Sequence, residues 1–535
     1  MTIPGLMQQT PLTITSIFDR MRTIYADNQV ISPERTLTYA ELGERVLKLC
    51  SALQQMGVKP GDRIGSFAFN SARHLELYYA VPLLGAVLHT INVRLFPEQI
   101  AYVTNHAADR IVFFDGEVAE RLAEVAPEFT TVERYVRMGE GSDGGLSPVA
   151  DHDELVAGSL PISIDDLPEI DENAACGICY TSGTTGMPKG VLYSHRAQWL
   201  HAMAFCMADH MALSQNDRVL PVVPLFHAVG WGFPYAAPFT GAELVFHGSD
   251  NSPQVIARTI AEHEVTFAAA VPTIWKELLP LLDSGEAKLP TLKRLMVGGA
   301  ASPRALIEAY DRHDIDLIQV WGMTETGPLC CVSRPRRHQT HLSAEEKLDL
   351  RSKTGTIFSG TDARICGADG AELPWDGKQA GELEVRGPYI ASAYYNDDAS
   401  DEKFHDGWLR TGDMAVMEPD GYFKIVDRAK DLVKSGGEWI SSVDLEGAIL
   451  AHPDVRDAAV VGIPSKKWDE RPVAVVVPAN STPPTLESIH TFLEGKVAKW
   501  WLPDEVVVVD EIPKTSVGKI DKKRIRADLA GMELA

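Results

Sequence analysis

Seven cysteines in 535 residues, an odd number and scattered, exclude a disulfide framework and suit reduced thiols. Cys176 and Cys179 form a lone CxxC with no second pair, which favours buried strand thiols over a metal site. An excess of basic residues is also missing: 50 Lys and Arg stand against 74 Asp and Glu, a formal net charge of -24. Nucleic acid is therefore not expected as a partner, because phosphate neutralisation needs a basic surface. Long apolar runs are scarce. The most apolar stretch, 78 to 93, holds Pro82 and His89 and falls short of the roughly 20 residues that a membrane-spanning helix needs. Residues 1 to 15 have neither a basic start nor an apolar core, so no signal peptide and no transmembrane segment are expected, and a cytoplasmic location is. There is no internal repeat. With 45% hydrophobic and 23% charged residues the chain is an ordinary globular protein long enough for a large core.

What is present alternates. Apolar residues at helical spacing over 39 to 56, the strand-like RIGSFAF of 63 to 69, a second helical stretch over 73 to 88 and the apolar RIVFFD of 110 to 115 predict an α/β fold with largely parallel sheets. The runs VLPVVPLF, AELVFHG, TFAAAVPT and RLMVGG continue this pattern and end in Gly or Pro, where site loops lie in such folds. Near residue 428 the character changes to a short helix (443 to 451), strands at DAAVVGI and PVAVVVPA, a helix over 486 to 500, the strand EVVVVD and a basic tail. The expected fold class is thus α/β: a large N-terminal domain of packed mixed sheets flanked by helices, residues 1 to 428, plus a small α+β C-terminal domain, 429 to 535.

The most informative segment is YTSGTTGMPKGV, from Tyr180 to Val191. Its glycines relax the backbone, while the hydroxyls of Thr181, Ser182, Thr184 and Thr185 and the ammonium of Lys189 supply donors to an anion; Gly183 lies at the centre. A polyphosphate needs this set. The P-loop of nucleotide hydrolases does not fit, since Lys189 follows Gly186 by three residues and is followed by Gly190 in place of Ser or Thr. A flexible tether does not fit either, because apolar strand-like runs flank the loop on both sides.

Four further motifs follow in order: QVWGMTETG from 319, LRTGD from 409, DRAKDLVKSGGEWIS from 427 and PKTSVGKIDKK from 513. Together with the Ser/Thr/Gly loop they resemble the motif set of the adenylate-forming enzymes, which comprise acyl-CoA synthetases, nonribosomal adenylation domains and beetle luciferases. The resemblance spans nearly the whole chain, from about Thr38 to Lys523, and is most similar to 3-(methylmercapto)propionate-CoA ligases and medium- and long-chain fatty acyl-CoA ligases.

That resemblance implies an enzyme that forms an acyl-adenylate from ATP and a carboxylic acid and passes the acyl group to coenzyme A. It implies ATP, Mg²⁺ and CoA as cofactors, a mobile C-terminal lid hinged at 428 to 430, and a homodimer. By the same resemblance Lys519 is the catalytic lysine of the lid, and Glu325 with Thr181 holds the magnesium. Asp413 accepts from the ribose with Arg428 as its partner. Trp321, Gly322, Met323 and Thr324, with Gly299 and Ala300, line the adenine site. His227, Trp231, Gly298, Gly299, Pro303 and Trp321 border the acyl group, with His227 at the carboxylate. Lys434, Trp439 and Glu470 serve the CoA side. Taken alone, several of these have plainer readings: a surface glutamate, a core tryptophan, a satisfied core histidine or a solvated basic tail. The segment 224 to 237, PLFHAVGWGFPYAA, contains no Lys, Arg or Asp, so a substrate with a second charge finds no partner there. The expected acid is short and uncharged, 3-methylmercaptopropionate first. Alternatives are a medium- or long-chain fatty acyl-CoA synthetase and, from other classes, a luciferase-like monooxygenase or a carrier-protein-loading adenylation enzyme.

Overall fold

The computed structural model describes residues 3, 5–147, 149–181, 187–397, 400, 402–435, 438–465, 467–515 and 520–532. The chain divides into two compact units. One comprises 1–351, 357–361 and 387–402, and the other comprises 352–356, 362–386 and 403–535.

In the first unit a seven-stranded sheet runs in the order Val149–Asp151, Arg134–Met138, Asp109–Asp115, Arg63–Phe67, Val87–Thr90, Ala175–Tyr180, Gly190–Ser194. All its pairs are parallel except the last, where Tyr180 stands opposite Gly190. A second sheet has a parallel centre formed by Asp316–Gly322, Arg294–Val297, Phe267–Ala270, Arg218–Pro221, Glu243–Val245 and Gln29–Ser32. Antiparallel strands Arg35–Thr38 and Leu329–Val332 flank it. Each sheet buries its own apolar cluster, one around Phe67, Val112, Phe114 and Ile178, the other around Leu220, Trp275, Leu295 and Leu317. These runs are apolar throughout because helices cover strands buried on both faces.

Helix Tyr39–Gln55 starts where a capping box dictates, with Thr38 accepting from the Glu41 amide and Glu41 returning to the Thr38 amide. The predicted helix over 73 to 88 is shorter: it runs Ala72–Leu83, and Gly85 at φ +69° turns the chain into the strand Val87–Thr90. Among the described residues no helix is long and apolar enough to cross a membrane. The N-terminal helix Ile14–Ile24 buries Ile14, Ile17, Phe18 and Met21 within its own unit and leaves Ile24 exposed, so its apolar face is not a free docking surface.

The second unit is strand-rich and mostly antiparallel. One sheet contains Asp362–Cys366, Ala380–Arg386, Trp408–Met417, Phe404–His405 and Phe423–Arg428. The other runs Glu438–Ile440, Val433–Ser435, Asp469–Pro478, Val455–Ser465, with Glu505–Val508 added parallel to Asp469–Pro478. Helix Ser442–Leu450 packs on the long hairpin, burying Leu445 and Ile449 in one cluster with Ala458, Val460 and Val476. The helix predicted over 486 to 500 ends at Leu493, ahead of Gly495 at φ +74°, and only a single 3-10 turn, Lys499–Trp501, follows.

Candidate active site

Strand order explains where the first unit's candidate residues gather. The hairpin Ala175–Tyr180 and Gly190–Ser194 presents the Ser/Thr/Gly loop at its tip, as the flanking apolar runs predict. At the loop's base the Thr181 amide donates to the Lys189 carbonyl at 2.9 Å, and the Lys189 amide donates to Thr181 Oγ1 at 3.1 Å. Ser182, Gly183, Thr184 and Thr185 lie outside the described residues, as does Lys519. The antiparallel bridge between Lys514 and Ile520 flanks the latter.

Glu325 sits in the turn Thr324–Thr326 that follows the strand Asp316–Gly322, and it is buried. It is not a solvated surface carboxylate. Tyr394 Oη donates to Glu325 Oε1, and the Ala391 amide donates to the Glu325 carbonyl at 2.8 Å. Burial first, and then the neighbouring Glu325 charge, push the Tyr394 phenol well up, so it remains a donor. Lys189 Nζ lies 4.9 Å from the centre of the Tyr394 ring and 2.8 Å from Asp397 Oδ2. The Tyr395 amide donates to the Gly190 carbonyl at 2.8 Å, and Tyr193 Oη donates to the Thr324 carbonyl at 2.7 Å. One short segment, 394 to 397, therefore joins the loop lysine to the buried carboxylate. Sequence reasoning missed Tyr394 and Asp397. No signal for them exists in the order of residues alone, since a tyrosine pair before Asn-Asp reads as an ordinary loop.

A lone buried carboxylate with nearby hydroxyls is a hard-oxygen donor set that fits Mg²⁺, an ion that keeps water and phosphate ligands. Among the described residues no cluster of three or more His, Cys, Asp or Glu competes as a metal site. Cys176 and Cys179 are free, buried strand thiols, and burial holds both in the thiol form.

The other candidates of this unit lie beyond two neighbouring strand ends. Gly298, Gly299, Ala300 and Pro303 follow Arg294–Val297, with Gly299 at φ +81° and Pro303 preceding helix Arg304–Asp311. Trp321 and Gly322 end the adjacent strand, and Trp321 is 9% exposed. Met323 donates its amide to Thr326 Oγ1 at 2.8 Å. The backbone at Gly322 is closed in, since a Cβ there falls 2.0 Å from the Pro328 carbonyl oxygen. The segment from 224 to 237 holds a further surprise. Ala228, Val229, Gly230, Trp231 and Gly232 all have positive φ, between 38° and 83°, directly after a half-buried His227. Left-handed residues other than glycine cost about 1 kcal/mol or more each, so the fold must hold this run in place. Asn70 does part of this, donating to the Pro221 and Val223 carbonyls and accepting from the Leu225 amide. Trp231 packs against Gly298, where a Cβ falls 3.3 Å from the indole and 2.8 Å from Val320 Cγ2.

In the second unit Asp413 and Arg428 stand opposite each other on paired strands, with Arg428 Nε 2.6 Å from Asp413 Oδ1. Asp413 is buried and Arg428 is partly exposed. Lys434 and Trp439 are likewise a cross-strand pair, with Nζ 5.0 Å from the ring centre. Glu470 joins them by accepting from the Lys434 amide at 3.0 Å. Trp439 is 46% exposed, so it is not a core tryptophan.

Comparison with known proteins identifies the family. Residues 19–395 match the model of the AMP-binding enzyme family and residues 444–519 that of the AMP-binding enzyme C-terminal domain. A long-chain-fatty-acid--CoA ligase of Thermus thermophilus is 43% identical over 530 residues, spanning 98% of this chain and 96% of the relative. A 3-methylmercaptopropionyl-CoA ligase of Ruegeria lacuscaerulensis is 41% identical, spanning 98% of each. The crystal structure of an anthranilate CoA ligase in complex with anthranoyl-AMP shares the fold with a TM-score of 0.88 at 24% identity, covering 98% of this chain and 99% of that one. With two family models matched and full-length relatives above 40% identity, the chain belongs to the AMP-binding enzyme family.

Proposed function

We propose that this chain is an AMP-forming acid:CoA ligase acting on a short, uncharged carboxylic acid, with 3-methylmercaptopropionate the preferred candidate. The observation that carries the catalytic reading is the linkage of Lys189, Tyr394 and buried Glu325 beside the Ser/Thr/Gly loop. The acid's carboxylate oxygen attacks the α-phosphorus of ATP, the bond to the β-phosphate breaks and pyrophosphate leaves. The thiolate of CoA then attacks the acyl carbonyl and AMP leaves, the thiol proton passing to solvent. Both steps gather negative charge, which positioned donors and cations stabilise.

In this reading Thr181, Ser182, Thr184, Thr185 and Lys189 hold phosphates, with Gly183 permitting close approach, and Lys189 exchanges Asp397 for the nucleotide. Glu325 and Thr181 hold Mg²⁺, which supplies charge neutralisation on the phosphates. Tyr394 aims the Glu325 carboxylate. Asp413, oriented by Arg428, accepts from the ribose, and Trp321 with Gly299, Ala300, Gly322, Met323 and Thr324 borders the adenine. Lys519 supplies its charge to the adenylation transition state, and Lys434, Trp439 and Glu470 receive CoA after a lid beginning at residue 429 turns about 428 to 430. His227, Gly298, Pro303 and Trp231 border the acyl group, where Trp231 against Gly298 supports a short chain. The enzyme is further read as a cytoplasmic homodimer, supported by its acidity, its free cysteines and its family resemblance.

A panel of acids assayed for CoA-dependent AMP release tests this. Activity highest on 3-methylmercaptopropionate or short fatty acids is expected. A kcat/KM that climbs steadily to palmitate assigns a long-chain ligase instead, the reading favoured by the Thermus thermophilus relative. Light emission or carrier loading without CoA ligation removes the class altogether.

A further inference from the structure

Within the run of positive φ from Ala228 to Gly232, the residues Val229, Gly230 and Trp231 also have ψ of 43°, 33° and 30°, so together they make a left-handed helical turn. L-residues visit this region singly, and a β-branched residue such as Val229 seldom does so at all. Strain of this kind persists only where the surroundings over-determine it. Two of the five positions have no room for a side chain: a Cβ at Gly230 would fall 2.8 Å from Leu225 Cδ2, and one at Gly232 would fall 2.6 Å from His201 Cε1.

The restraint comes largely from one helix. Ala72–Leu83, with Asn70 just ahead of it, reaches both flanks of the turn. On the N-terminal flank Asn70 Oδ1 accepts from the Leu225 amide at 2.7 Å, and Tyr78 Oη donates to the Leu225 carbonyl. On the C-terminal flank Tyr79 Oη donates to the Pro234 carbonyl at 2.7 Å, and Tyr235 Oη donates to the Tyr78 carbonyl at 3.2 Å. The rings of Tyr78 and Tyr79 both meet Tyr235 edge-on, with centres 5.8 and 5.9 Å away, and all three are buried. Burial raises the three phenols, so each keeps its proton and donates. Residues 225 and 234 are therefore pinned to the same helix, which fixes the span that the chain between them must bridge. At that span the left-handed turn sets Trp231 beside Gly298, where a Cβ would fall 3.3 Å from the indole. All of these residues belong to the first unit.

We propose that Tyr78 and Tyr79, together with Asn70, clamp the strained turn and thereby set the length of acid that the pocket accepts. They are positioning residues that act through Trp231. Loss of either hydroxyl frees one flank, the run relaxes toward backbone with negative φ, and Trp231 withdraws from Gly298. The proposal rests on the short-acid reading above, in which Trp231 borders the acyl group.

The test uses the full-length protein with ATP, CoA and either butyrate or octanoate, and follows AMP release. Tyr78→Phe and Tyr79→Phe keep the ring and remove only the hydroxyl. Each should raise the octanoate-to-butyrate ratio of kcat/KM by about tenfold, the scale of a buried carbonyl left unpaired, with the change in the KM for the acid and the KM for ATP unaltered. Ala228→Gly removes the penalty for positive φ at one position, so adding it to Tyr79→Phe should return the ratio toward the wild-type value. Tyr310→Phe removes another buried hydroxyl-to-carbonyl bond, 2.7 Å long and made to Trp275; it should lower the melting temperature and leave the ratio unchanged. An unchanged ratio in either folded phenylalanine variant at 78 or 79, no restoration by Ala228→Gly, or the same shift in Tyr310→Phe overturns the clamp. A wild-type kcat/KM that climbs from butyrate to palmitate instead removes the short-acid reading, and the clamp with it.

Discussion

The two units build their candidate residues in opposite ways. In the first, Thr181, Gly298 to Pro303 and Met323 to Glu325 all lie just beyond the carboxyl ends of strands in largely parallel sheets. In the second, Asp413 faces Arg428 and Lys434 faces Trp439 as cross-strand partners inside antiparallel ladders. Loop residues are free to be chosen for chemistry, while ladder residues serve chemistry and register together. Changes at the first kind should therefore alter turnover with little effect on stability, and changes at the second kind should affect both.

The largest expected effect tests the lid itself. Lys519→Ala should lose acid-dependent pyrophosphate release by roughly two to three orders of magnitude, the scale of removing a transition-state donor, while still converting supplied acyl-adenylate and CoA to thioester. Trp439→Ala should show the reverse bias, together with a measurable loss of melting temperature because its cross-strand ring contact with the Lys434 ammonium goes too.

Next comes the loop-borne carboxylate. Glu325→Gln should reduce kcat by about a hundredfold and raise the magnesium concentration for half-maximal rate, and Tyr394→Phe should follow it at about tenfold, in keeping with a hydrogen bond to a charged group. A Tyr394→Phe enzyme with unaltered magnesium dependence contradicts the role assigned to the phenol.

A smaller change concerns selectivity. Gly298→Ala places a methyl 3.3 Å from the Trp231 indole and 2.8 Å from Val320 Cγ2, so it should shift the acid preference toward fewer carbons. One methylene is worth about 1 to 3 kcal/mol, which a ratio of kcat/KM values for acids of increasing length resolves.

A last effect is on pH-dependent stability. Burial lowers the His74 and His195 imidazoles to about 4 and that of His201 to about 3. A group whose folded pKa is depressed, here a neutral histidine, contributes stability that is present above its unfolded value near 6.5 and is lost as pH falls toward the folded value. Denaturant titrations between pH 6.5 and 4 should show stability falling by up to about 1.4 kcal/mol per pH unit for each histidine, and His74→Gln should flatten that slope. Burial lifts Asp115 to about 7, which works the other way, its contribution declining as pH rises from about 4 to 7. All four groups lie in the first unit, so the effect belongs there.

Legibility in the sequence follows the range of the interactions involved. The Ser/Thr/Gly loop is readable because its donors are consecutive and its flanking runs are apolar, and the capping box at Thr38 is equally local. Tyr394 is invisible because its partner Glu325 lies 69 residues away, and Lys522 looks like one of four interchangeable tail lysines until Ser442 and Glu446 surround it. The helix over 486 to 500 is overextended because apolar spacing continues past Leu493, and a single glycine outweighs it.

Residue order alone sets the chemistry available: a run of Ser and Thr hydroxyls closed by a lysine, a segment from 224 to 237 without charge, scattered cysteines and an alternation of helical and strand patterns. Which carboxylate is buried against a phenol, which tryptophan faces solvent and which lysine is sequestered are settled by folding in three dimensions. Those outcomes depend on desolvation and on contacts between residues far apart in the chain, and neither is encoded in local residue order.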